Sequence, residues 1–440
     1  MVVLEFFLNL DASVLLPMII FVFAIILRTP LAQAFRSSLI VGIGFIGLNL
    51  IIDLLTDSLG PAATTMVENF GLQLKVIDIG WPATAAISYG TVLGSLAIPI
   101  GIGVNILLLS TGLTRTLNVD IWNYWHCAFT GSLVYGVSGD FFLGIFTMIV
   151  HVLFIFFCAD LMAKDVERFY GFQHITFPHA ASAPSYLFAK PLNKLFDRLP
   201  IIKNMNINEK TLKNKFGIFG DPMVIGAGIG LIIGGLARYE LEDIFLLSVQ
   251  TGAVIYLMPK MVALLMEGLI PISESASEFM KKKYKNKQIY IGMDSALSVG
   301  HASVLSVSMV LIPIALILSI ILPGNQVLPF GDLATIPFLV CLMVPVFRGN
   351  LIRTLIAGSI YISIGLYIAT WVSPFFTSAA KAADFDFGAF TNISSLVDGA
   401  VWTTFLLLGS AKFMGWIGLG ILGVLMIVVI VLFKKRAKTS

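Results

Sequence analysis

Charge is scarce in this sequence. Only 12% of its 440 residues are Asp, Glu, Lys or Arg, against 58% hydrophobic, whereas soluble domains carry about 25% charged residues. A water-soluble globule is excluded. Cysteine is scarce as well. Cys127, Cys158 and Cys341 are scattered without CxxC spacing, which excludes a thiol redox motif and fits small buried hydrophobes. The histidines and cysteines lack metal-ligand spacing, so neither metal nor cofactor is expected. There is no GxxxxGK[ST] loop, which excludes nucleotide hydrolysis by this chain itself. There is no DDxxD-like pair either, which argues against a prenyl transferase using Mg²⁺-diphosphate. Residues 1–11 hold Glu5 and Asp11 and no basic residue, unlike a cleaved signal.

What is present is a succession of apolar runs long enough to span a bilayer. We read an all-α polytopic membrane protein with about eleven crossings, near 12–28, 38–55, 84–110, 121–137, 141–162, 222–237, 243–270, 296–322, 333–347, 351–371 and 413–433. With the N-terminus outside and the C-terminus cytoplasmic, 23 of the 28 basic residues fall on one side, including the "KKKYKNK" run at 281–287. Basic excess marks cytoplasmic loops, so this orientation is the expected topology. Outer segments receive Asp78 and Asp398 among other acids, and Asp78 is expected to be solvated there. The crossings at 121–137 and 333–347 are short and polar-ended, so either can be re-entrant.

The two halves resemble each other at an offset of about 210. "LGPAATTMVENF" lies opposite "LIPISESASEFM", "AIPIGIGVNIL" opposite "LIPIALILSII", and "SGDFFLGI" opposite "RGNLIRTL". Five crossings per unit, an odd number, insert the second copy upside down. Inverted repeats with discontinuous helices meeting near mid-membrane are a transporter signature. The expected layout is a first repeat over 1–163 and a cytoplasmic loop over 164–220 carrying a site segment at 174–183. A second repeat then covers 221–371. An external segment, the last crossing and a cytoplasmic tail fill 372–440.

Four stretches break the apolar pattern: 76–86, 117–131, 291–303 and "LPGNQVLPFGDLATIPF" at 322–338. Broken backbone at membrane depth survives only when buried in protein or lining a wet cavity. Two such stretches per repeat fit a polar chamber.

These stretches also carry a family resemblance. "LGPAATTMVENF", "VIDIGWP", "NVDIWNYWH", "FPHAASA", "KFGIFGDP" and "LPGNQVLPFGDLATI" are similar to the galactitol-type enzyme IIC of the bacterial phosphotransferase system, in the ascorbate–galactitol superfamily. The resemblance covers nearly the whole chain. It implies a homodimer whose protomers combine a V-motif scaffold with a core transport domain moving like an elevator. It further implies an alditol substrate, galactitol foremost, and partner subunits IIA and IIB that carry the phosphoryl group, a IIB cysteine delivering it. Residues 372–412 match no part of the pattern, and related hexitols or pentitols stay open as substrates. The resemblance also implies the bacterial inner membrane as location; membrane lipid is an expected partner, and nucleic acid is not. The rival reading is an ion-coupled secondary transporter, which would want a carboxylate path through mid-span helices.

A polyol offers only hydroxyls, so its site needs acceptors, donors and a flat face. Asp294 and Asp332 stand before apolar runs, where each is either a helix N-cap or a carboxylate that accepts substrate hydroxyls. Asp294 is the candidate proton acceptor, with His126 the alternative. His126 and Thr130, at i and i+4, would share a helix face. His179 either contacts substrate from a loop folded into the cytoplasmic mouth or is a plain loop histidine. His301 is equally open. Trp81 stacks on sugar carbons or marks an interface, and Asn325 and Gln326 divide between capping backbone and touching substrate. His151 and His174 read as structural. The Lys-rich run is a solvated loop, or a docking site for IIB or anionic lipid.

Overall fold

Proline and glycine punctuate this apolar chain, and the same punctuation recurs in its two halves. The computed structural model describes residues 12–26, 28–69, 74–200, 202, 222–283, 289–329, 331–383, 385 and 392–439. The end of the Lys-rich run and most of "KFGIFGDP" lie outside the described residues.

The first half runs α1 (Ala12–Ile26), α2 (Leu31–Asn69), β1 (Val76–Asp78), α3 (Gly80–Gly90), α4 (Gly94–Ser110) and β2 (Thr116–Asn118). A 3₁₀ turn (Trp122–Tyr124) then leads into α5 (Trp125–Ser138), α6 (Phe141–Tyr170), β3 (Ile175–Thr176) and α7 (Ala183–Phe196). The second half repeats the order with α8 (Pro222–Leu236), α9 (Leu241–Lys283), β4 (Tyr290–Gly292), α10 (Ala296–Val299), α11 (Ala302–Ile321) and β5 (Val327–Leu328). After a 3₁₀ turn (Leu333–Thr335) come α12 (Ile336–Val340), α13 (Met343–Val346), α14 (Leu351–Ala382), β6 (Asn392–Ser394) and α15 (Trp402–Thr439).

Matched positions carry matched chemistry. In α2 the Thr65 hydroxyl donates to Pro61 O at 3.0 Å, and in α9 Ser275 donates to Pro271 O at 3.0 Å. Pro99 lies inside α4 and Pro313 inside α11. Gly139 takes φ +70° and Asp140 then caps α6 by accepting from Leu143 N. Gly349 takes φ +76° and Asn350 caps α14 by accepting from Arg353 N. A left-handed glycine followed by an Asx cap turns one helix into the next, across two residues at 139–140 and four at 347–350.

Among the described residues, four helices are long and apolar enough to cross a membrane: Phe141–Tyr170, Ala302–Ile321, Leu351–Ala382 and Trp402–Lys435. Helix α2, at 39 residues, is about 58 Å long, well beyond a hydrocarbon thickness of about 30 Å. It packs antiparallel on α9, Ser37 meeting Gly268 and Gly47 meeting Met261. Two expected crossings are split. The 84–110 run breaks at Thr91–Leu93, where the Thr91 hydroxyl accepts from Gly94 N. The 296–322 run breaks before α11, where His301 Nδ1 accepts from Ser303 N. The short 333–347 run is three brief helical pieces rather than one helix.

The protein is mostly helical, as expected, but short strands also occur among the described residues. Two three-stranded parallel sheets form, in the orders β5-β1-β6 and β2-β4-β3. Val76 pairs with Val327 and Asn392; Ile291 pairs with Leu117 and Ile175. The physical reason is amide satisfaction. Extended backbone inside an apolar protein must find partners, and each broken stretch finds them on a stretch from the other half. The pairing is crosswise: the first strand of each half lies between the second and third strands of the other. Residues 392–400, expected as part of an external segment, instead complete a sheet and are largely buried.

Candidate functional site

Parallel strands end on the same edge, so whatever follows each strand converges. Beyond β2 stand Asp120, Asn123 and His126; beyond β4, Asp294 and Ser295; beyond β3, His179 and Ser182. From the turn after β6, in the other sheet, comes Asp398. These side chains form one cluster at the carboxyl edge of β2-β4-β3.

Its geometry is specific. His126 stacks on Trp125, with centroids 3.9 Å apart, and meets His179 edge-on at 4.8 Å. Its Nδ1 lies 2.9 and 2.8 Å from the two Asp398 oxygens. His179 Nε2 is 3.5 Å from Asp294 Oδ1, while Ser182 Oγ stands 3.2 Å from His179 Nδ1 and 2.8 Å from Ser295 Oγ. Asn123 donates to Asp120 Oδ2 at 2.7 Å and accepts from Trp125 Nε1. His126 and Asp398 are 1% and 2% exposed, but the Asp294 side chain is 24% exposed. Asp294 is therefore the most accessible carboxylate of the three. It also accepts from Ala296 N at 2.9 Å, a local backbone role just ahead of α10.

The other strand edge is closed. Asp332 Oδ1 accepts from Trp81 N at 2.8 Å, and Oδ2 accepts from Ser395 Oγ at 2.7 Å and Val397 N at 3.2 Å. Asp332 N in turn donates to Asp78 Oδ2 at 2.8 Å, and Gly80 N donates to Asp78 Oδ1. Glycine is required at this crossing, since a Cβ on Gly331 would sit 2.2 Å from Gly80 N. Asp78 is buried, not solvated as expected from its position between apolar runs. The loop it was assigned to is folded inward, and its carboxylate ties backbone amides.

The structure thus brings His126, His179 and Asp294 together and disperses the other candidates. Thr130 faces away, its hydroxyl 3.0 Å from Cys127 O and from His151 Nδ1. His301 caps α11 and packs on Phe169 and Tyr170. The Asn325 amide donates to Ser319 O and Val327 O, a backbone role. Gln326 is exposed, and its own backbone pairs with Val76 N and the Thr370 hydroxyl. Asp332 and the Trp81 backbone belong to the closed edge.

Asp120, Asn123, Ser182, Ser295 and Asp398 join the cluster unanticipated. One signal was available for Asp398: it is the sole acidic residue after Asp386 and immediately precedes a long apolar helix, where an ionisable group is costly without a task.

The chain matches the family described as PTS system sugar-specific permease component over residues 6–390. It is 40% identical over 381 residues to the PTS system galactitol-specific EIIC component of Escherichia coli (strain K12), covering 87% of this chain and 84% of that protein. The protein of the same description in Escherichia coli O157:H7 matches equally. A putative permease IIC component of Escherichia coli (strain K12) is 37% identical over 446 residues, covering 99% of both chains.

Proposed function

Because this chain belongs to the family of sugar-specific permease components of the phosphotransferase system, we propose that its buried cluster holds an alditol, galactitol foremost, for inward transport and phosphorylation. One observation carries the reading: His126, His179 and Asp294, from three separate segments, meet at one strand edge with a partly exposed carboxylate. Hydroxyl acceptors and donors there suit a polyol, and Trp125 behind His126 shields the site from water.

In the transfer step, the substrate hydroxyl oxygen attacks the phosphorus of a phosphocysteine on the IIB subunit. The O–P bond forms as the S–P bond breaks, the thiolate leaves with IIB, and the hydroxyl proton passes to Asp294. His179, 3.5 Å from that carboxylate, steadies it. A general base must first be within reach of its proton, and Asp294 meets that condition better than the deeply buried His126. IIA supplies phosphate to IIB; this chain carries none.

The two halves act as inverted copies, each extending through the strand and turn that follow its long helix: β3 in the first and β6 in the second. Their crosswise sheets and matched Pro61/Pro271 and Asp140/Asn350 positions support this reading. The α1–α2–α8–α9 group serves as scaffold, and the group holding the sheets moves against it as an elevator, within a homodimer seated in lipid. The N-terminus faces outward and the C-terminus inward.

The test is calorimetry on the purified protein in detergent with galactitol, sorbitol, mannitol, xylitol and ascorbate, without phosphate donor. Saturable, selective galactitol binding is expected. Binding of another alditol alone would replace the substrate; binding of none by folded protein would overturn the reading.

A further inference from the structure

The segment between β6 and α15, "SSLVDGAVW", carries a carboxylate that the proposed transfer step does not use. Its backbone is anchored at every turn. Ser394 O accepts from Ile79 N at 3.1 Å, and both Ser395 Oγ and Val397 N donate to the Asp332 carboxylate. Beyond it, Trp402 Nε1 donates to Pro184 O at 3.1 Å. A Cβ on Gly399 would meet Ser395 O at 2.6 Å, so the turn that projects Asp398 cannot relax around a larger residue. A carboxylate held this firmly is aimed, and it is aimed at His126.

Both Asp398 oxygens straddle His126 Nδ1, at 2.9 and 2.8 Å. That is the geometry of a carboxylate sharing one N–H; a protonated carboxyl donating to the ring would approach through a single oxygen. A proton on Nδ1 satisfies both contacts, and the hydrogen bond made at one ring nitrogen sets the state of the other. The remaining nitrogen, Nε2, is buried and has no hydrogen-bond partner among the described residues. The Trp125 stack and the edge-on His179 ring leave the imidazole no freedom to turn.

We infer that Asp398 is a positioning residue: it fixes His126 as the tautomer with a bare Nε2 lone pair, which accepts a hydrogen bond from one substrate hydroxyl. The inference rests on the alditol reading for its ligand but not for its tautomer. It gives the cluster a division of labour. Asp294 meets the hydroxyl that reacts, while His126 recognises a second hydroxyl that does not. A buried acceptor of this kind rejects analogues lacking the matching donor, because the lone pair would then stay unpaired.

The experiment is nitrogen NMR on histidine-labelled protein in detergent, with His126 assigned by its loss in His126→Gln, joined to galactitol titration. In the ligand-free wild type, His126 should be protonated on Nδ1 with Nε2 bare. Asp398→Asn presents an amide donor to Nδ1 and should move the proton to Nε2, the wrong tautomer. Galactitol affinity should then fall about 10–100-fold, as for one lost buried hydrogen bond. An Nε2–H tautomer in the wild type would overturn the inference, as would wild-type affinity in folded Asp398→Asn. If Asp398→Asn does not fold, the wild-type spectrum and the displacement of its Nε2 resonance by galactitol decide. A bare Nε2 in a protein that binds no alditol would sink the transport reading and leave the positioning role standing.

Discussion

Replacing Asp332 by Ala probes the closed strand edge most directly. The carboxylate is fully buried and accepts from Trp81 N, Ser395 Oγ and Val397 N. Its removal takes away three accepted hydrogen bonds at once, each worth about 0.5–1.5 kcal/mol. Val397 N keeps a second partner in Ser395 Oγ at 3.1 Å, and the serine hydroxyl can turn, so their losses are partial. The net expectation is about 3 kcal/mol, a large part of a typical stability of about 5–15 kcal/mol. Asp332→Asn keeps an acceptor for Trp81 N and should lose only about 1 kcal/mol. The assay is thermal unfolding in detergent with a thiol-reactive fluorogenic dye, since Cys127, Cys158 and Cys341 are all buried and free. An Ala variant melting with the wild type would refute the clasp. Normal melting of both variants with galactitol binding lost would mean instead that Asp332 touches substrate.

Asp294→Asn should leave unfolding within about 1 kcal/mol of wild type, because the side chain is partly exposed and an amide oxygen can still accept from Ala296 N. Phosphorylation of galactitol by IIB in membrane vesicles should nevertheless be abolished, and substantial residual turnover would remove Asp294 as proton acceptor. Gly331→Ala forces a Cβ against Gly80 N and Asp78 O, both backbone, so it should cost at least about 2 kcal/mol, seen as lost expression of monodisperse protein. Thr130→Val breaks the contact with His151 but should change galactitol affinity less than about threefold, as expected of a residue away from bound ligand. A tenfold loss would place Thr130 at the substrate after all.

Only part of the candidate site stands out in the sequence. His126 and Asp294 are ionisable groups beside apolar runs, where such groups are expensive, whereas His179 lies in the loop motif "FPHAASA". Asp332 satisfies the same test, yet its carboxylate serves backbone amides on the closed edge. The sequence makes the two carboxylates look alike: each precedes an apolar run after a glycine-containing break. What separates them is which strands lie beside them. Asp398 was hidden for the opposite reason, in a segment that resembled nothing and was assigned to solvent. For Thr130, sharing a helix face with His126 does not decide which neighbour the hydroxyl meets, and the fold gives it Cys127 O and His151.

The sequence by itself determined the class and the family. Composition, apolar run length and the matched Pro and Gly positions are properties of the chain read in order, and physics converts them into membrane helices without reference to distant residues. Tertiary structure alone decided that the broken stretches become two crosswise sheets, with one edge tied by Asp78 and Asp332 and the other holding a buried, unpartnered His126 Nε2 near a partly exposed Asp294. Hydrogen bonds between residues 251 and 272 positions apart make that distinction. No local pattern encodes them, because an amide or carboxylate accepts whichever partner the fold delivers.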